Sequence, residues 1–447
     1  MQRLIHNVRI FTNNDAGVLE KHAVLIDGPR IAAVGPEQEM RARYPQAKPL
    51  DGGGRLLMPG FVNVHMHFYS TFARGLALPQ RPKNFNDILE KLWWKLDASL
   101  DLEAVYYSAL LPAIAAVKLG VTAFIDHHAS ANAVDGSLDR IEEALARVGL
   151  RGVLCYETSD RHGKENARAG LRENERYIRK CRQAKAENPD HPFDGMVGLH
   201  ASFTLDDDTL EQAAALSRTL ERGCHIHVLE DPVDGRQTRD KYGAGVAERL
   251  QRFGILSETS IAAHCIHLNE AEKDMLAQTG VMVAHNPQSN MNNAVGRTDV
   301  FGLLQRGLLL GIGTDGMSPG MASDARTALW LHKHDLRDPN AGWNEIQAML
   351  LQNNPEIYYR VSSQKVGRIA PGYLADVIFV DYFPPTPMTA DNFWGHYLFG
   401  IADSAVDTTI INGRIVMRNK VIEGSDEAEI AAKAREVAKR VWERFYG

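Results

Sequence analysis

The amino-acid sequence predicts an α/β protein: a distorted (β/α)8 barrel of the TIM type, with a small β-sandwich domain built from both chain ends. Three observations predict it. Between Phe61 and about Val366, short apolar runs alternate with amphipathic helical segments. The two ends of the chain share a different texture, of short strands and tight hairpin turns. Polar residues, histidine above all, recur where the short apolar runs stop.

The first short strands read as Arg3 to Thr12 and Ala23 to Gly35, the latter broken by an Asp27-Gly28 turn. Near the other end, Ala375 to Asp381 and Thr408 to Val421 repeat that style around Asn412-Gly413, a dipeptide suited to a type I′ hairpin. Eight apolar runs lie between: Phe61–Phe68, Val121–Asp126, Gly152–Glu157, Met196–His200, Cys224–Leu229, Ser260–His264, Val281–His285 and Leu308–Thr314. Helical segments such as Leu138–Val148, Glu173–Ala186, Leu210–Glu221, Ala244–Phe253 and Glu270–Gln278 separate nearly all of them. Strict alternation implies right-handed parallel βαβ units, and eight of them fit a closed barrel. An open doubly wound sheet wants a glycine-rich first turn, which Pro59-Gly60-Phe61-Val62-Asn63-Val64-His65 does not supply. The expected division is 1–58 and 367–424 in the β-sandwich domain, 59–366 in the barrel, and 425–447 as a C-terminal helix. In that helix Asp426 and Glu429 form a capping box, and Ile430, Val437, Val441 and Phe445 form a packing stripe.

Composition narrows the function classes. At 447 residues, 44% hydrophobic and 24% charged, the chain is of ordinary globular type and excludes collagen-like, disordered and small disulfide-scaffold classes. A net charge of −6 offers no basic face for nucleic acid and no polybasic membrane patch. Cys155, Cys181, Cys224 and Cys265 have no CxxC spacing, and Cys155 and Cys265 read as small buried hydrophobes. The longest uncharged apolar stretch, Ala104 to Val117, is too short to span a bilayer and carries Pro112. A cytoplasmic, metabolic protein is expected, its partner a small molecule rather than nucleic acid or membrane, and its assembly a homo-oligomer, a dimer.

In a barrel, chemistry sits where strands end. Those positions hold His65 and His67, then Asp126, His127 and His128, then Glu157, His200, His227, His264, His285 and Asp315. His65-Met66-His67 is the sharpest feature, because side chains two apart on a strand share a face and can offer two nitrogens to one ion. His225-Ile226-His227 is a second such pair. Either histidine can serve; His227 is preferred because it lies nearer the strand's end and Glu230 follows three residues later.

These motifs resemble the amidohydrolase superfamily over nearly the whole chain. The resemblance rests on Pro59-Gly60-Phe61-Val62-Asn63-Val64-His65-Met66-His67, His225-Ile226-His227-Val228-Leu229-Glu230, Ala263-His264 and Gly313-Thr314-Asp315-Gly316. It is nearest to the cytosine/guanine/S-adenosylhomocysteine deaminase branch, which also holds the triazine chlorohydrolases. Trp93-Trp94-Lys95-Leu96-Asp97, Ile125-Asp126-His127-His128-Ala129-Ser130 and Ser289-Asn290-Met291-Asn292-Asn293 are similar to the SsnA-type aminohydrolases. The resemblance implies metal ligation by His65, His67, His227 and Asp315, with Glu230 as proton shuttle and His264 as partner of water and substrate. Two-metal members bridge their ions through a lysine on strand four; Gly195-Met196-Val197-Gly198-Leu199-His200-Ala201 has none, so one divalent ion is expected, Zn2+ first and Fe2+ second.

The expected reaction is hydrolytic deamination of a nitrogen heterocycle of purine, pteridine or pyrimidine type, with release of ammonia. Glu230 favours a leaving group that needs a proton over halide or amide nitrogen; a non-catalytic scaffold would be marked by lost ligands, and none is missing. Arg74, His128, Glu157, His200 and Gln288 are the expected substrate-binding residues. Arg161 reads as part of a solvated turn, Trp93 and Trp94 as core, and His332 and His334 as surface.

Overall fold

The computed structural model describes residues 2–447. The N-terminal end forms β1 (Gln2–Phe11), β2 (Val18–Asp27), β3 (Arg30–Pro36), β4 (Lys48–Asp51) and β5 (Leu56–Pro59). The barrel strands follow: β6 (Phe61–Met66), β7 (Val121–His128), β8 (Arg151–Tyr156), β9 (Phe193–Gly195), β10 (Val197–Ala201), β11 (Cys224–Val228), β12 (Ile261–His264), β13 (Met282–His285) and β14 (Leu310–Ile312). The C-terminal end adds β15 (Val377–Val380), β16 (Val406–Ile411), β17 (Arg414–Arg418) and β18 (Val421–Ile422).

All eight expected barrel strands form, and the expected helices lie between them. The helix foreseen from Glu173 begins earlier, at Lys164. The fourth strand is split in two: β9 pairs with β8, and β10 pairs with β11. The barrel is therefore two parallel arcs, β6–β9 and β10–β14. Its distortion lies at the two seams. At one, Met66 and Asp315 form a lone parallel bridge, and at the other Thr158 and Leu199 do. Buried asparagines complete the hydrogen bonding that the ladders leave open. Asn354 donates to Val62 O at 2.7 Å and Ile312 O at 2.9 Å and accepts from Ile312 N at 2.7 Å, so it joins β6 to β14. Asn174 accepts from Tyr156 N at 2.8 Å and donates to Tyr156 O at 2.9 Å beside the other seam.

The barrel strands β6, β7, β8 and β11 are buried along their whole length, as expected for parallel strands covered on both faces. Val62, Val64, Ala123, Ile125, Val153, Ala263 and Ala284 pack with Ile357 and Tyr358 of the helix Asn354–Ser362 in one apolar cluster. A larger cluster packs the opposite strand faces against the surrounding helices.

Both chain ends meet in one sheet, of nine strands among the described residues, ordered β18-β17-β16-β15-β5-β1-β2-β3 with β4 on β1. The expected sandwich is thus one hydrogen-bonded sheet, joined where β15 runs antiparallel to β5. The Asn412-Gly413 hairpin has φ of 53° and 73°, the left-handed pair a type I′ turn needs. The final helix, Glu427–Tyr446, is capped by the Asp426 side chain, which accepts from Ala428 N and Glu429 N at 3.0 Å. Its stripe of Ile430, Val437, Val441 and Phe445 is buried. Among the described residues no single helix is long and apolar enough to cross a membrane.

Candidate active site

The strand ends converge as the sequence implies. His65 and His67 close β6, His227 lies in β11, His264 ends β12, and Asp315 follows β14. Backbone strain helps aim them. Leu229, His264, Cys265 and Asp315 have φ of 48°, 71°, 53° and 53°. Left-handed backbone costs a residue with a Cβ about 1–2 kcal/mol, and it collects at functional sites. Gly313 must be small: a Cβ there would stand 2.8 Å from the Cβ and the carbonyl oxygen of His65.

His65, His67, His227 and Asp315 bring one ligand atom each within 4.8 Å of one another. His67 Nε2 lies 3.2 Å from His227 Nε2 and 2.9 Å from Asp315 Oδ1, and His65 Nε2 lies 3.5 Å from that same oxygen. Two nitrogens bound tetrahedrally at 2.0–2.1 Å stand about 3.3 Å apart, so the spacing suits a shared ion. The outer nitrogens are held: His227 Nδ1 by His200 O at 2.9 Å, His67 Nδ1 by His127 O, and His65 Nδ1 by His225 Nε2 at 2.9 Å. Such bonds direct the opposite nitrogen toward a metal. His65 Nε2 is buried with no hydrogen-bond partner. Of the two histidines of β11, His225 meets His65 from behind, and His227 faces the cluster.

Electrostatics agrees with a cation here. Burial pushes His65 down to about 3 and holds His225 and His227 well below the usual imidazole value, so all three are neutral donors. His67 is buried too, yet Asp315 and Glu157 pull it up to about 9. The cluster thus attracts positive charge, and metal binding displaces such a proton. Despite burial, His65 and His67 hold Asp315 well below the ordinary carboxylate range. Burial raises Glu230 to about 7, with Asp315 adding to the rise and His264 and Asn293 opposing it. Glu230, His264 and Asp315 form a second group: His264 Nε2 is 3.6 Å from Glu230 Oε2 and 3.9 Å from Asp315 Oδ2.

A partly enclosed cavity opens above the cluster. Phe85, Leu89, Trp93, Trp94 and Phe203 form its apolar walls, with Glu157, His200 and Glu230 as polar groups. Trp93 ends a π-helical turn, Leu89–Trp93, a deformation that recurs at functional sites. The two tryptophans read as core are therefore cavity wall. Of the five expected substrate-binding residues, Glu157 and His200 line this cavity. Arg74 is exposed outside it, because it ends the short helix Phe68–Ala73 that turns the chain outward. His128 sits behind the wall, bonded through Nε2 to Ser130 at 2.9 Å. Gln288 turns away to Ser323 and Asp324 on a neighbouring helix.

Two further expectations are corrected. The Arg161 side chain is not solvated: it is only 9% exposed, paired with Asp97 and with Glu157 at 3.1 Å, and lies 5.6 Å from the Trp94 ring centre. His332 is not on the surface: its ring is fully buried, 5.5 Å from that of His285, while His334 is exposed. Residues with no expected role complete the site. Ser289 donates to Asp315 Oδ2, Asn290 Oδ1 accepts from His264 Nδ1 at 2.8 Å, and Asn293 donates to Glu230 at 3.4 Å. Their signal was the Ser289-Asn290-Met291-Asn292-Asn293 motif after strand seven, where spacing of three and four puts Ser289 and Asn293 on one helix face.

Fold and site together define a metal-dependent hydrolase on a barrel. The model of the amidohydrolase family matches residues 56–416, and the chain belongs to that family. Within it the chain is an aminohydrolase, a deaminase acting on carbon–nitrogen bonds. A model for the bacterial imidazolonepropionase-like composite domain also matches residues 23–47. The chain is similar to a 5′-deoxyadenosine deaminase of Methanothermobacter thermautotrophicus, 32% identical over 431 residues and covering 95% of this chain and 96% of that one. It is 31% identical over 449 residues to a 5-methylthioadenosine/S-adenosylhomocysteine deaminase of Syntrophomonas wolfei, covering 99% of each. Among solved structures it resembles a zinc-bound adenosine deaminase from Xanthomonas campestris, with a TM-score of 0.82, 24% identity and 98% coverage of each chain. It also resembles a zinc-bound atrazine chlorohydrolase from Arthrobacter aurescens, with a TM-score of 0.79, 21% identity and coverage of 97% and 99%. These two likenesses concern the fold.

Proposed function

We propose that the chain deaminates the base of an adenine-type nucleoside. The observation that carries this reading is the placing of Glu230 beside the ligand cluster at the floor of an aromatic-walled cavity. The names of its relatives point to the same substrate class. The motifs around Trp93 and Ser289 also support a likeness to the SsnA-type aminohydrolases.

His65, His67 and His227 through Nε2, with a carboxylate oxygen of Asp315, would hold one divalent ion, Zn2+ ahead of Fe2+. Bound there, such an ion supplies a Lewis acid that brings the pKa of water from about 15.7 to near 7. The chain's own groups do the rest. Asp315, its Oδ2 steadied by the Ser289 hydroxyl, orients the water and takes its proton. His264, fixed by Asn290, presents Nε2 toward both carboxylates and aligns the attacked carbon. Glu230, raised to about 7 chiefly by burial, is suited to carry a proton at neutral pH: it gives that proton to the ring nitrogen, the departing amine takes the proton held by Asp315, and the adduct's hydroxyl proton returns to Glu230 as the carbonyl forms. Water adds at the carbon, the C–N bond breaks, and ammonia leaves. Trp93, Trp94 and Phe203 enclose the flat ring and keep bulk water out.

The same reading places the enzyme in the cytoplasm as a homodimer, with 1–58 and 367–424 as one domain around the 59–366 barrel. The test is ammonia release from adenosine, 5′-deoxyadenosine, 5′-methylthioadenosine, guanine and cytosine, using protein of measured metal content. Release from the adenine nucleosides is expected. Turnover of only guanine or cytosine would overturn the substrate reading and leave the deaminase intact.

A further inference from the structure

The segment that walls the cavity is gripped from outside by the far end of the chain. Phe85, Leu89, Trp93 and Trp94 lie on three short helical pieces, Phe85–Ile88, Leu89–Trp93 and Trp94–Ala98. A mostly exposed loop, 74–84, leads in from the short helix Phe68–Ala73, and a bend of 112° leads out into the helix Leu102–Lys118. Among the described residues no amide of 77–83 donates to another backbone group, so the loop has few ties of its own. Toward the cavity the segment is pinned by one ion pair, where Asp97 meets Arg161. On the outer side, three side chains from the last turn of the final helix, Glu427–Tyr446, reach its flanks. Ahead of the wall, Trp442 Nε1 donates to Phe72 O and Tyr446 Oη donates to Ala77 O, both at 2.8 Å. Behind it Arg444 spans the bend: Nε donates to Ser99 O at 2.6 Å, and Nη2 stands 3.0 Å from Asp101 Oδ2. Earlier turns of the same helix hold a different element. Glu427 pairs with Lys118 and Arg440 with Glu103, at the two ends of the helix Leu102–Lys118.

We propose that Trp442, Arg444 and Tyr446 are positioning residues for substrate binding: the last turn of the final helix holds the aromatic wall in place over the cavity, although none of the three lines it. The buried stripe of Ile430, Val437 and Val441 docks the helix, and the polar groups of its last turn fix the wall to it. A segment with few hydrogen bonds of its own opens locally at small cost, and ties from outside suppress that opening. The kinetic consequence follows from where the wall acts. Enclosure of the ring is the same before and during the reaction, while the ligand cluster and Glu230 carry the chemistry. Loosening the wall therefore raises KM and leaves kcat nearly unchanged.

The kinetic side of this inference rests on the adenine-nucleoside reading; the mechanical side does not. Three forms of the metal-loaded enzyme test it: the parent, Trp442→Phe/Tyr446→Phe and Arg440→Met. The double variant keeps both rings and removes both donors. Arg440→Met cuts a tie of the same helix that does not reach the wall. Amide hydrogen exchange is followed by mass spectrometry over 85–98 and over the barrel strand 121–128. The double variant should exchange about 5- to 30-fold faster over 85–98, the size of one or two lost hydrogen bonds, with 121–128 unchanged. Arg440→Met should match the parent. With adenosine as substrate, KM of the double variant should rise by about that same 5- to 30-fold while kcat stays within about threefold. Should the double variant not fold, Tyr446→Phe alone, on a half-exposed ring, is read in the same way. Parental exchange over 85–98 in the Phe variants, or equal speeding by Arg440→Met, sinks the proposal. Faster exchange with an unchanged KM sinks it too. If no adenine nucleoside is turned over, the substrate reading fails, and the exchange result alone decides whether the last turn holds the wall.

Discussion

Glu230 and Asp315 are largely enclosed carboxylates in one cluster, with side chains 13% and 12% exposed, and their neighbours drive them apart. Asp315 faces His65 and His67 and stays ionised; Glu230 lies farther from those imidazoles, and burial raises it to about 7. That difference predicts different variants. Glu230→Gln keeps the side chain's size and its contact with Asn293 but cannot move a proton. Its kcat should fall by about 10²–10⁴ with metal content unchanged. Asp315→Asn should lose both turnover and metal, since that carboxylate stands within reach of His65 and His67 nitrogens. Metal analysis of the two purified variants beside their kinetics checks the roles. Metal lost from Glu230→Gln, or full rate retained by it, would show the proton route to be misassigned. The two HxH pairs were legible because such spacing on a strand is a local pattern. Arg161, Asn290 and His332 were not, since each owes its role to partners on other elements, such as Asp97, His264 and His285.

Among the elements, the seams of the barrel decide where the mouth stands. β6 and β14 share a single bridge, and Asn354 supplies three hydrogen bonds across the gap from a fully buried position. Leaving a buried donor or acceptor unmade costs about 1–3 kcal/mol per group. Asn354→Ala should therefore lose about 3 kcal/mol or more of stability, read by denaturant unfolding. It should also raise KM or lower kcat, because β6 carries His65 and leads into His67. Wild-type stability in that variant would mean the seam is held by other contacts. The strands themselves were readable from apolar runs bounded by turns. The split of strand four into β9 and β10 was not, because the apolar run Met196–His200 marks only β10, and nothing in it shows that Phe193–Gly195 before it pairs with the preceding strand instead.

At the scale of the whole molecule, the barrel and the terminal sheet are joined by a buried ion pair. Arg151, the first residue of β8, donates to both oxygens of Asp376, with Nη2–Oδ1 at 3.0 Å; its Nη1 donates to Gln364 at 2.8 Å, and Nη2 also reaches Asn412 at 3.2 Å. Both side chains are fully buried. Removing one partner from such a pair costs about 3–5 kcal/mol, so Asp376→Ala should unfold at distinctly lower denaturant, by more than Arg151→Met/Asp376→Leu together. A double variant worse than the single would contradict that account. Truncation after Gly372 removes β15, which stands between β5 and β16, and exposes one edge and one apolar face of the sheet. Insoluble protein is expected; a soluble, metal-containing fragment would argue against the proposed shared domain. Metal removal belongs to this scale as well. Chelation should lower Tm, since a ligand at 1,000 times its Kd contributes about 4 kcal/mol to the folded state. An unchanged Tm after demonstrated metal loss would show that the cluster is stable without an ion.

Alternating apolar runs and turn dipeptides determined by themselves the barrel and the meeting of the two termini, and the recurrence of histidine at strand ends marked where a candidate ligand cluster would lie. Those properties follow from local periodicity, which a linear chain displays openly. Which β11 histidine faces that cluster, which expected residues reach the cavity, and that Trp93 and Trp94 wall it were decided only in three dimensions. The two candidates of β11 share one strand face, and only the position of His65 behind and His67 in front separates their roles. Cavity lining depends on where a loop turns after its strand, as Arg74 shows by turning out and Arg161 by folding in to Asp97 and Glu157. Such long-range pairings are set by the packing of elements far apart in the chain, and no spacing rule along the sequence encodes them.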